Sequence, residues 1–192
     1  PGQLPYVSLT ADIFYRVLAS EIAAQRGMYG TAATTMIGLA RDTGDPRLAR
    51  RGLEFQLAGG NLPGALEAAR VWARLSPNDV EASSTELALA AANGQTKGLA
   101  QALRNRIDAS RDKPAAIGQA LAVLSRLNDR RLALRILDES LSDSVRKLPA
   151  AHLALADVAS ASGDYERAAQ ESRAALAADP KSEAAAPVSY TH

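Results

Sequence analysis

Apolar residues recur every three or four positions along most of this chain, and the runs are punctuated by glycine, asparagine and Asp-Pro steps. That spacing predicts amphipathic helices joined by tight turns. After an extended lead-in, residues 1–9, Thr10 or Asp12 caps a first helix whose face is Tyr15, Leu18, Ala19 and Ile22, and Gly27 stops it. A second helix carries Ala32, Met36, Ile37 and Ala40 and ends before Thr43-Gly44. Asp45-Pro46 places an acidic N-cap before a proline at the first helical position, where the missing N–H costs nothing, and opens a helix to about Ala58. Gly59-Gly60 turns the chain into a helix from about Pro63 to Leu75 with Leu66, Ala69, Trp72 and Ala73. Ser76-Pro77 repeats the cap-plus-proline device and opens a helix to about Ala92, and Leu99, Leu103 and Ile107 mark its partner beyond Asn93-Gly94.

Pro114 begins the clearest stripe, Ile117, Ala120, Leu121, Leu124 and Leu127, and Asn128-Asp129 leads into a helix with Leu132, Leu134, Ile136 and Leu137. Residues 140–147 read as a polar link. Pro149 opens the last pair, whose helices meet at Ser162-Gly163-Asp164-Tyr165 and which Asp179-Pro180 closes. Residues 182–192 carry no stripe and read as a frayed or cloning-derived tail. The turn residues Gly27, Gly60, Gly94, Asn128 and Gly163 are spaced 33, 34, 34 and 35 apart. Five positions on stand Ala32, Ala65, Ala133 and Ala168, while the third unit has Leu99 and then Ala100. A two-helix unit at a period near 34 is a repeat array rather than an irregular bundle. The predicted units are 10–44, 45–76, 77–112, 113–147 and 148–181.

These residues resemble the tetratricopeptide-repeat (TPR) family. The fifth unit matches best, with Leu155, Ala156, Gly163, Asp164, Tyr165, Ala168, Ala175, Leu176, Asp179 and Pro180 where the family pattern has them. Gly60, Ala65 and Pro77 match in the second unit, and Gly27, Tyr29 and Ala32 in the first. His152 stands where the family has a large aromatic, and Gly44, Arg111 and Val145 replace closing prolines. The resemblance implies an all-α, right-handed superhelical α-solenoid of about five TPR-like repeats. The run LTADIFYRVLASEIAAQRGMYGTAA, with TGDPRLARRGLEF and ALEAARVWARLSPND, also resembles the amino-terminal part of proteobacterial TPR lipoproteins. That group includes outer-membrane adaptors that bind a periplasmic carboxyl-terminal processing protease and deliver substrates to it. The resemblance implies such a protease or its substrates as partner, and a periplasmic location with a lipid anchor upstream. The chain begins with Pro1 and is read as a piece of something longer.

Composition agrees with the helical reading: 47% of residues are apolar, only 4% aromatic, and alanine fills about a fifth of the chain. Net charge is +1, from 22 basic and 21 acidic residues, so no global field draws the chain to nucleic acid or an anionic membrane. The basic clusters Arg47, Arg50, Arg51 and Arg126, Arg130, Arg131, Arg135 read as solvated faces balanced by acids on neighbouring helices. No segment has the apolar length of a membrane span. Without cysteine there is no thiol chemistry, and the residues themselves leave the compartment, cytoplasm included, open.

No chemical site emerges. Of two histidines, His192 is terminal and His152 sits at a helix packing position, where a structural role is expected. Residues 59–64 (GGNLPG) lack the Lys-Ser/Thr of a phosphate loop and lie between helices, so they are a turn. Asp138-Glu139 reads as solvated surface. We therefore expect no catalysis, cofactor or metal, but a scaffold that binds a protein segment in a concave groove lined by the first helix of each pair. By the family's geometry the groove residues are Arg16, Arg50, Glu54, Leu89, Ala122, Ser125 and Asp157. The alternative is a self-assembling module: no obvious capping helix follows the last repeat, so either the natural chain continues with more repeats or the exposed end pairs with another copy.

Overall fold

The computed structural model describes residues 10–179, and every regular element within them is a helix. They divide after Asn93 into two compact units. Unit 1 holds α1 (Ala11–Gln25), α2 (Tyr29–Thr43), α3 (Pro46–Ala58), α4 (Leu62–Leu75) and α5 (Val80–Ala92). Unit 2 holds α6 (Leu99–Ala109), α7 (Lys113–Leu124), α8 (Arg130–Ser140), α9 (Asp143–Arg146), α10 (Pro149–Ala161) and α11 (Tyr165–Ala178). The fold class is the expected one, all-α, with successive helices packed on one another. The predicted 77–112 repeat is divided, with α5 in unit 1 and α6 in unit 2. The lead-in 1–9, the tail, Pro180 and His192 lie outside the described residues.

Local chemistry places most helix ends where the pattern puts them. Thr10, rather than Asp12, caps α1 by accepting from the Ile13 N–H at 3.2 Å. Asp45 accepts from Arg47 N at 2.9 Å, Asn61 from Gly64 N at 3.1 Å, and Asp164 from Arg167 N at 3.1 Å, each such cap contributing about 1 kcal/mol. Gly27, Gly60, Gly94 and Gly163 take φ between +69 and +85, which explains why glycine marks the period. Asn128 does not adopt that conformation; there the following helix starts on Asp129, which accepts from Leu132 N at 3.0 Å. Ser76-Pro77 does not open α5. Ser76 ends α4, and Asp79 caps α5 by accepting from Glu81 N at 2.8 Å and Ala82 N at 3.3 Å.

In unit 1 the decisive packing is between successive pairs. A Cβ on Gly52 of α3 would lie 2.7 Å from Ile37 Cγ1 and 3.3 Å from the Ala33 carbonyl oxygen of α2. A Cβ on Gly59 would lie 3.1 Å from Tyr29 Cβ. Small residues thus set how closely α2 and α3 approach, and Ala33, Ala40, Ala49, Ala65, Ala68 and Ala69 are all 0% exposed. The expected face of α1 is the exception. Tyr15 is 70% exposed, Leu18 47% and Ile22 39%, while the buried side of α1 is Ser20, Ala23 and Ala24, with Ser20 Oγ donating to the Ala32 carbonyl at 2.7 Å. The helix is amphipathic as predicted, but α2 takes its other side.

Unit 2 departs from the polar expectations. Residues 140–147 are not a solvated link: α9 falls there, and Ser140, Leu141 and Val145 are buried at 0%, 3% and 2% exposure. Asp138 is likewise not solvated surface. It accepts from Arg167 at 2.6 Å and pairs with Arg146 at 2.7 Å, tying α8 to α9 and α11. Glu171 joins the network through His152 Nδ1 at 2.7 Å, so His152 is a paired structural histidine. Burial pushes the Asp138 carboxyl pKa up, but the bonds from Arg167 and Arg146 outweigh it and hold it below the usual aspartate value.

Two outcomes test this packing. Gly52→Ala should destabilise unit 1, because steric crowding of about 1–3 kcal/mol exceeds the ~1 kcal/mol gained in helix propensity. In an Ile37→Ala background, where Cγ1 is gone, the same change should become neutral or stabilising; urea titrations followed by the fluorescence of Trp72, the single tryptophan, read both. Asp138→Asn should lower the protection of α10–α11 amides against hydrogen exchange by roughly 1–3 kcal/mol at pH 7. Because the folded pKa of Asp138 is depressed, its contribution is full above the unfolded value of 3.8 and fades below it, so the deficit should shrink as pH falls through that region.

Candidate functional site

The face formed by α1, α3 and α5 in unit 1 carries a chain of ion pairs. Arg51 of α3 donates two bonds to Glu21 of α1, at 2.8 and 2.7 Å, and also bonds Glu54 one turn along α3. Arg50 lies 4.0 Å from Glu54 and donates to Glu81 at 2.9 Å across to α5. The result is an alternating ladder, Glu21–Arg51–Glu54–Arg50–Glu81, with three carboxylates and two guanidinium groups. Its side chains are a third to three-fifths exposed. Two buried rings lie beneath: the Arg50 guanidinium is 5.2 Å from the Trp72 ring centre and that of Arg51 is 4.4 Å from the Phe55 ring. Each contact of this kind is worth roughly 0.5–1 kcal/mol at an exposed site, enough to hold the guanidinium stems in place.

Arg50 and Glu54 therefore sit together, as two rungs of one ladder. Arg16 does not join them. It pairs with Asp42 at 3.4 Å and Asp12 at 3.7 Å, and it covers Gly38 of α2. Leu89 is a correction: it is 9% exposed and packs in the core of unit 1. It stands one 34-residue period after buried Phe55, so the repeat itself puts it inside. Ala122 and Ser125 on and just after α7 and Asp157 on α10 are exposed in unit 2, with Ser125 Oγ donating to the Ala122 carbonyl at 2.8 Å. Residue-by-residue reasoning missed Glu21, Arg51 and Glu81. Glu21 precedes Glu54 by 33 residues, so the period applied to charged positions would have found it.

Electrostatically the ladder is self-satisfied. The bonds from Arg51 lower the Glu21 pKa against the opposing effect of burial, and the Arg51 pKa is raised in turn. At this exposure an ion pair is worth ~0.2–1 kcal/mol, so each rung can be broken at little cost. Among the described residues no group of three or more histidine or acidic side chains converges as a metal site, and no helix is long and apolar enough to cross a membrane.

No protein-family model matches the sequence, and no curated protein matches it. Among solved structures, the chain is similar to MamA 41-end from Desulfovibrio magneticus RS-1, at 15% identity and a TM-score of 0.49, covering 92% of this chain and 99% of that one.

The pairing of Glu21 is directly testable. Its side-chain carboxyl, followed by carbon NMR through an acid titration, should protonate below the ordinary glutamate range, and in Arg51→Met its midpoint should rise towards 4.5. An unchanged midpoint in Arg51→Met would show that the α1–α3 rung does not form in solution.

Proposed function

We propose that this chain is a non-catalytic protein-interaction scaffold that takes a segment of a partner protein along the α1/α3/α5 face of unit 1. The carrying observation is the ladder itself: five charged groups from three helices, alternating in sign, exposed, and seated on buried Trp72 and Phe55. Helices fixed by their packing hold these groups at set spacing, so a segment with complementary charges exchanges weak intramolecular pairs for intermolecular ones and gains orientation from the pattern. Affinity then comes from apolar anchors of the segment against the helices, and register from the charges.

The resemblance of the first 80 or so residues to protease-adaptor lipoproteins supports a finer reading. In it the partner is a periplasmic carboxyl-terminal processing protease or a substrate delivered to it, and the whole protein is held at the outer membrane by a lipid anchor. A pull-down from periplasmic extract tests both levels. The chain should retain such a protease or substrate, and the Arg50→Glu/Glu54→Lys double reversal should cut retention roughly tenfold, as a contribution of about 1.4 kcal/mol would require. Retention that is specific but indifferent to the reversal would remove the ladder from the site. Loss of every specific partner would remove the adaptor reading.

A further inference from the structure

The α2–α3 joint inside unit 1 has open counterparts on the first and the last helix among the described residues, α1 in unit 1 and α11 in unit 2. Shifted back by the 33 residues that separate Gly27 from Gly60, the receiving face of α3 maps onto α1: Leu48 becomes Tyr15, Gly52 becomes Ala19, Phe55 becomes Ile22 and Gly59 becomes Arg26. On α3 this face is covered, with Phe55 only 4% exposed. On α1 it is bare: Tyr15, Leu18, Ala19, Ile22, Arg26 and Met28 line an open groove of about 270 Å³.

The inserting face of α2 recurs as well. Shifted by the 136 residues between Gly27 and Gly163, Tyr29 and Ala33 become Tyr165 and Ala169, identical residues, while Ile37 and Ala40 become Arg173 and Leu176. On α2 Tyr29 packs over Gly59, and Ala33 with Ile37 against Gly52. On α11 Tyr165 is 72% exposed, and Ala169 and Arg173 are exposed too.

We propose that α11 of one copy docks in the α1 groove of a second copy, in the register of the internal α2–α3 joint. Ala169 then lies at Ala19 and the methylene stem of Arg173 runs where Ile37 runs. Tyr165 meets Arg26, a ring-on-guanidinium contact in place of tyrosine on glycine. Ala19 carries a methyl where Gly52 has none: a flexible Arg173 stem gives way where the branched Ile37 would not, and the Ala169 carbonyl, standing where the Ala33 oxygen is 3.3 Å from a Cβ at Gly52, sets the two helices slightly further apart than α2 and α3. The contact is heterologous: each copy that uses its α11 still offers its α1 groove, so association is open-ended.

Sedimentation velocity from about 10 μM to about 1 mM, where an interface of a single helix pair should half-form, tests the joint. The wild-type chain should show a weight-average mass that climbs with concentration. Ile22→Glu, which blocks the groove, and Ala169→Glu, which blocks the inserting helix, should each sediment as a monomer, with circular dichroism showing the helices retained. Mixed one to one, the two variants should form a dimer and nothing larger, since only one productive joint remains. A wild type that stays monomeric throughout would overturn the proposal, as would self-association of Ala169→Glu equal to wild type, which would mean α1 pairing with α1. Association appearing only after deletion of residues 1–9 would show that the chain's own amino-terminal segment fills the groove, and would overturn it equally. The Arg50→Glu/Glu54→Lys variant should associate as wild type, so failure here leaves the scaffold reading intact.

Discussion

A helix pair has two apolar faces and only one partner within itself, so its other face must find a neighbour. In unit 1 that requirement is met by close approach between pairs, and the approach depends on small side chains. Gly52 admits Ile37 at a distance no Cβ would allow and the Ala33 carbonyl at one that few would. Alanines that are wholly buried extend the same geometry through α2, α3 and α4. Each buried alanine removes little apolar surface from water, so stability is a sum of many small increments plus the few large side chains, such as Met36, Leu66 and Trp72, that fill what remains.

This constraint decides how much of the fold the sequence discloses. Helix ends are written in local chemistry, which is why Asp45 caps where expected, why Asn61 and Asp164 cap at turns the pattern marked, and why glycine marks four of the five turns. Ser76-Pro77 misled because two cap residues stand three apart and Asp79 satisfies two N–H groups where Ser76 ends the previous helix. The residue 140–147 link misled because Leu141 and Val145 are isolated apolar residues among polar neighbours, on either side of an extended step between α8 and α9, too short a run for periodicity to register. For α1 the period correctly gave an apolar face. It could not say whether the chain supplies the helix to cover it, since that depends on a partner element and not on the helix.

The charged face follows the same logic at longer range. Arg51 reaches Glu21 across 30 residues and Arg50 reaches Glu81 across 31, so no local spacing rule connects them. They meet because α2 and α4 pack between them and bring α1, α3 and α5 to one face of unit 1. Family geometry pointed to Arg50 and Glu54, which lie on the exposed ladder, and also to Leu89, a position the 34-residue period assigns to the core. The period proved the better guide than positional analogy, for charges as for apolar residues.

The two units use ion pairs in opposite ways, and the difference lies in burial. Around Asp138 and Glu171 the carboxylates are only 23% and 13% exposed, and each accepts from groups on other helices. Removing one partner there strands charge in a poorly solvated place, so the network fixes α8, α9, α10 and α11 against one another. Along the α1/α3/α5 face the pairs are wet and individually weak, and a rung broken by an incoming side chain is at once resolvated or re-paired. Comparable numbers of salt bridges thus act as a lock in unit 2 and as an exchangeable surface in unit 1. A partner that reads the ladder would lose affinity with rising ionic strength, while the Asp138 network, shielded from counter-ions, would hold.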